Sequence, residues 1–130
     1  MNLIFKNKID EILYKIKSND LNSAKKLSLK LIKKNKKDFQ LQNIYATILY
    51  NLKEFNQAIE IYKLALNLNP NFYQAQYNLA KLYCDLKNYE KANIELQKCL
   101  NLESNSIEVL LLLGNLNLKF KKYQLAEKNY

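Results

Sequence analysis

Lys33, Lys34, Lys36 and Lys37 put four ammonium groups into five consecutive positions, the densest charge in the chain. Such a cluster can hold an acidic protein segment, a nucleic-acid backbone or an anionic lipid surface. Residues 1–38 carry 11 Lys against 4 acids, a net +7, while the remaining 92 carry 10 against 8, a net +2, so the positive field is local. All 21 basic residues are Lys. Bidentate reading of base edges or phosphates favours Arg, which argues against sequence-specific nucleic-acid binding. A lysine run is also what a solvated helix end carries, so the patch alone does not define a ligand.

Other reactive groups are sparse. There is no His, and with it go the imidazole base, the His-dependent triad and the common zinc ligand sets. One glycine, Gly114, is too few for a phosphate-cradling loop. Asp10 and Glu11 are adjacent, and Glu90 and Glu95 have lysine neighbours. Glu95 with Lys98 has helical spacing, worth ~0.2–0.5 kcal/mol. Cys84 and Cys99 cannot build a disulfide framework and point to a reducing compartment, the cytoplasm. No catalytic set, cofactor or metal is implied, so the chain reads as a non-enzyme. No apolar run reaches the ~18 residues of a membrane span, and Leu3-Ile4-Phe5 is too short for a secretory signal.

The elements that must position these residues follow from a repeat. Ala24, Ala58, Ala92 and Ala126 stand 34 residues apart, the period of a helix-turn-helix array. Leu21, Phe55, Tyr89 and Tyr123 precede them by three; Ser28, Tyr62, Leu96 and Tyr130 follow by four; Leu31, Ala65 and Cys99 follow by seven. Ala46, Ala80 and Gly114 form a second column of small residues, which lets helices approach closely. In this register Cys99 reads as a small buried residue, and Cys84, near a helix end, as partly exposed. The predicted helices are Leu3–Lys17, Leu21–Lys34, Phe39–Leu52, Phe55–Leu68, Phe72–Leu86, Tyr89–Leu102, Ser106–Phe120 and Tyr123 onward, separated within pairs by turns at Asn19, Lys53, Lys87 and Lys121.

The segment Asn43 to Pro70, with Tyr45-Ala46, Leu49-Tyr50, Phe55, Ala58-Ile59, Tyr62, Ala65-Leu66, Leu68 and Pro70, resembles a tetratricopeptide repeat. Tyr77-Asn78-Leu79-Ala80, Tyr83, Asn88-Tyr89, Ala92 and Leu100 continue the likeness. The resemblance implies an all-α, right-handed α-solenoid of antiparallel helix pairs, a single domain over 1–130 with about 3.5 repeats at 5–38, 39–72, 73–106 and an incomplete 107–130. Two departures stand out. Gln42, Gln76 and Leu110 replace the usual tryptophan, and Asn19, Lys53, Lys87 and Lys121 replace the inter-helix glycine. Lysine adopts a left-handed turn less readily than glycine, so these turns should be strained or reshaped.

Function follows from the same resemblance. The first helix of each repeat lines a concave groove in this family, which carries over to Asn43, Thr47, Tyr50 and Asn51, then Tyr77, Asn78, Lys81 and Asp85, then Leu111, Leu112, Asn115 and Lys119. Amides and tyrosines suit a peptide held by its main chain. The carboxylate clamp of chaperone-binding members is matched by Asn78 alone; Asn43, Thr47, Glu108 and Leu112 stand at its other positions. The expectation is a scaffold that binds a peptide or protein segment. The alternative is the recognition arm of a glycosyl- or sulfo-transferase whose catalytic domain lies beyond Tyr130. The short last helix would leave Val109 to Leu113 partly uncovered, which suggests the front of a longer protein, or two copies that cover each other through the C-terminal repeat.

Overall fold

The computed structural model describes residues 2–128, with the side chains of Tyr123, Ala126 and Lys128 outside the description. Among the described residues all regular structure is helical: α1 Leu3–Lys17, α2 Leu21–Lys34, α3 Phe39–Asn51, α4 Phe55–Leu68, α5 Tyr73–Asp85, α6 Tyr89–Leu102 and α7 Ile107–Lys128. The chain forms two compact units, Met1–Phe72 and Tyr73–Tyr130.

Helix ends follow local chemistry. Asn2 caps α1 by accepting from the Ile4 amide at 2.8 Å, and Asp38 caps α3 by accepting from the Leu41 amide at 2.9 Å. The three turns inside helix pairs share one geometry. Asn19, Lys53 and Lys87 have φ of 62°, 64° and 61°, the left-handed conformation a glycine would take without cost. Each amide bonds back three residues, and the next amide bonds back five: Lys87 to Cys84 at 3.0 Å and Asn88 to Tyr83 at 2.9 Å, for example. This is a Schellman motif, which satisfies the last carbonyls of α1, α3 and α5.

The fourth turn does not form. In place of helices Ser106–Phe120 and Tyr123 onward, α7 runs unbroken for 22 residues through Lys121. The sequence supplies the reason. Asp20, Glu54 and Asn88 are the N-cap residues of α2, α4 and α6, and their equivalent here is Lys122. Of the three only Asn88 accepts an amide hydrogen bond, but none carries the positive charge of Lys122, which opposes the positive end of a helix dipole. Nothing therefore draws the chain out of α7.

Unit one has an apolar core of Ile12, Ala24, Leu31, Leu41 and Ile48, flanked by Phe5, Ile9 and Leu27. Ala46, Leu49, Ala58, Tyr62 and Ala65 are also buried there. In unit two the buried set is Ala75, Leu79, Ala80, Leu82, Tyr83, Ala92, Leu96, Cys99, Val109 and Leu116. Ala24, Ala58 and Ala92 are fully buried, as the 34-residue column requires, and Cys99 is buried while Cys84 is half-buried. Ala126, Tyr123 and Tyr130 lie outside the described side chains.

Gly114 departs from its column. It is exposed, and a Cβ built on it would meet nothing within 4 Å. Ala46 and Ala80 are fully buried in two-helix repeats, whereas among the described residues no second helix follows α7, since residues 123–128 extend it. At the tryptophan positions, Gln42 and Gln76 are buried and pay their desolvation by bonding: Gln42 Nε2 donates to the Lys36 carbonyl at 3.0 Å, and Gln76 Nε2 donates to Glu95. The third, Leu110, is exposed.

Candidate functional site

On α3, in unit one, the four sequence-predicted residues divide. Thr47 is spent internally. Its hydroxyl donates to the Asn43 carbonyl at 3.0 Å, which leaves a lone pair for the Tyr62 hydroxyl at 2.9 Å. Burial pushes the Tyr62 phenol up to about 12, against the opposing effect of the Thr47 bond. Asn43 and Tyr50 are half-buried, and Asn51 is exposed. The Tyr50 ring meets Phe55 edge-on, with centroids 5.9 Å apart, which limits its rotamers. Beside them Lys25 Nζ holds both oxygens of Glu54 at 2.9 and 3.1 Å, joining α2 to the turn before α4. Tyr45 is buried near this pair; burial raises its phenol pKa, Lys25 opposes and Glu54 reinforces.

In unit two, α5 and α7 come together at an aromatic pair that the sequence reading missed. Tyr77 stacks on Tyr73, with centroids 6.1 Å apart and planes 15° off parallel. The Tyr73 hydroxyl shares a 2.7 Å hydrogen bond with Ser106 Oγ, which also accepts from the Val109 amide at the start of α7. Tyr77 is thereby held by a ring that is itself tied to the next helix. Its phenol pKa is raised, first by burial and then by the charge of Glu108. Asn78 is half-buried; Lys81, Asp85, Leu111, Asn115 and Lys119 are exposed, and Leu112 is half-buried. Beneath this face Glu95 accepts from Gln76 and pairs with Lys98 at 3.5 Å, the helical pair expected from spacing. An N-terminal aromatic four residues before Tyr77 on a helix was the available signal for the stack.

A second feature had no sequence signal. Leu86, Lys87, Tyr89 and Glu90 at the α5–α6 turn, with Lys119 and Phe120 of α7, line a cleft of about 630 Å³. Its walls are distant in sequence, so no local pattern marks it. Lys33, Lys34, Lys36 and Lys37 are all exposed, pair with no carboxylate among the described residues, and border an open hollow of about 640 Å³. Cys99 is poorly suited to chemistry, since burial, with Glu95, pushes its thiol up to about 12. No helix among the described residues is long and apolar enough to cross a membrane.

The family model described as tetratricopeptide repeat matches residues 49–116. By sequence, no curated protein matches the chain. Among solved structures it is similar to the first TPR of Spaghetti (RPAP3) bound to HSP90 peptide SRMEEVD, at 20% identity and TM-score 0.84 over 90% of this chain and 93% of that one. It is similar to the TPR2B domain of yeast Sti1 in its pHsp70 complex, at 21% identity and TM-score 0.81, covering 91% and 99%. A third likeness is the Arabidopsis OM64 TPR domain, at 17% identity and TM-score 0.82, covering 88% and 95%. At these identities the likeness establishes an all-α helical-repeat fold.

Proposed function

Because the chain belongs to the tetratricopeptide repeat family, we propose that it is a protein-interaction module that holds an extended peptide or protein segment on the first helices of its repeats. In unit one that face is Asn43, Tyr50 and Asn51 of α3. In unit two it is Tyr77, Asn78, Lys81 and Asp85 of α5 with Leu111 and Asn115 of α7. Thr47 supports the first face by fixing Tyr62 rather than by touching a ligand.

The observation that carries this reading is the Tyr73–Tyr77 stack, anchored through Ser106 to α7. An aromatic ring already locked in place loses little entropy on binding, so its contact area converts efficiently into affinity. The neighbouring amides satisfy main-chain donors and acceptors of a peptide with modest side-chain selectivity. Two of the similar structures hold chaperone peptides, yet the residues here at the clamp positions, Asn43, Thr47, Glu108 and Leu112, supply no cation for a terminal carboxylate. The preferred segment is therefore internal rather than C-terminal. The two free thiols suit a reducing compartment, and the cytoplasm is the proposed location.

The test is selection of linear peptides from a random library on the wild-type chain. Selected peptides should lose at least about tenfold in affinity, or ~1.4 kcal/mol, on a chain carrying Tyr77→Ala and Asn78→Ala with unchanged helicity. Equal binding to both chains rejects the α5 face, and preference for free C-termini rejects the internal mode.

A further inference from the structure

α7 is apolar on opposite sides. Val109 and Leu116 are buried, and Leu112, Leu113 and Phe120 are half-buried beside them. At 100° per residue the reverse side carries Ile107, Leu111, Gly114, Leu118, Lys121 and Leu125, which recur in alternating steps of four and three. Ile107, Leu111, Leu118 and Leu125 are 72, 65, 60 and 61% exposed. A helix that is apolar all round belongs in an interior, and a four-three stripe is the seam of a helix pair. The stripe runs over 19 residues, a rise of about 27 Å, which fits another helix rather than a small ligand.

Charge on the flank of this stripe selects the occupant. Glu108, Asn115 and Lys122 lie seven residues apart along one edge, acidic at the start of α7 and basic near its end. When two identical helices pack antiparallel, the same edge meets itself reversed, so residue i faces j and j faces i. A dyad beside Gly114 and Asn115 sets Glu108 against the partner copy's lysines at 121 and 122 and places Leu111 opposite a leucine in each copy. Parallel pairing would instead stack lysine on lysine. Gly114, with open space where a Cβ would stand, lets the two backbones approach at the crossing point.

We infer that the exposed side of α7 is a self-association surface, on which a second copy of this chain packs its own α7 antiparallel about Gly114. The pairing covers Leu111 and Asn115 and so competes with the α7 part of the proposed peptide face, while Leu118 and Leu125 take no part in that face. One helix pair sits at or below the ~1,200 Å² of small stable interfaces, so the dimer should be weak and form only as protein concentration rises.

Sedimentation equilibrium on the whole chain from about 5 to about 500 µM tests it. Wild type should pass from monomer to dimer, and Leu118→Asp with Leu125→Asp should remain monomeric throughout. Both side chains are exposed, so circular dichroism and Tm should not change. Glu108→Lys should weaken dimerisation about tenfold, and adding Lys121→Glu should restore it. A wild-type chain monomeric at every concentration overturns the inference, as does a dimer indifferent to the double Asp variant. Failure of the charge swap to restore association overturns the antiparallel arrangement.

Discussion

Lys87 and Lys121 occupy the same place in the 34-residue register and opposite backbone states, so one substitution should act on them with opposite sign. Lys87 closes α5 at φ 61°, with its own amide on Cys84 and the next on Tyr83. A left-handed residue with a Cβ is held at ~1–2 kcal/mol of strain, which glycine removes. Glycine also gains freedom in the unfolded chain, returning ~0.5–1 kcal/mol of the benefit. The net for Lys87→Gly is a stabilisation of about 0.5–1 kcal/mol, or roughly 2–3 °C in Tm for a chain of this size. Lys121 lies inside α7, where the same change costs about 1 kcal/mol of helix propensity. Urea unfolding followed by far-ultraviolet circular dichroism gives both numbers. Native-state hydrogen exchange adds a local readout, since amides over 119–128 should exchange faster in Lys121→Gly. If Lys121→Gly stabilises the protein, a fourth turn forms and the continuous α7 is wrong. If Lys87→Gly destabilises it, the strain assigned to the left-handed lysines is absent.

Ala58→Asp and Ala92→Asp each bury an unpaired carboxylate at a fully buried site, and should cost more than about 4 kcal/mol; a folded variant of wild-type Tm contradicts the packing. Tyr62 and Cys99 are raised from 10.0 and 9.0 to about 12, so the folded chain keeps protons that the unfolded chain sheds. Their contribution is intact below pH 9 and falls as pH climbs towards 12, by at most about 1.4 kcal/mol per pH unit for each group. Tyr62→Phe should flatten that decline above pH 10, and parallel profiles for the two proteins would refute the assignment. If the Lys33–Lys37 cluster holds a polyanion, duplex DNA binding should be present at low salt and fall steeply as salt rises; binding that is absent or indifferent to salt removes the idea.

The legible part of the fold was the part written in local chemistry. Columns of alanine and large apolar residues placed six helices within a residue of their bounds, and Asn19, Lys53 and Lys87 marked left-handed turns. The same register failed at Lys121, although the signal was present: an acid or amide stands at the N-cap position of each earlier second helix, where this segment has the cationic Lys122. At the candidate site, the polar residues of α3, α5 and α7 were placed by register, but their employment was not. Thr47 is claimed by Tyr62, fifteen residues away, and Tyr77 is fixed by a stack whose anchor, Ser106, lies 33 residues from Tyr73.

What the residues alone determined about this protein is its helical-repeat architecture, because spacing, small-residue columns and capping act within one or two turns of a helix. Tertiary structure decided which side of α7 is covered and which predicted groove residues still face outward. Burial and hydrogen-bond partnership depend on groups brought together from distant segments, and a one-dimensional register does not encode which of those groups meet.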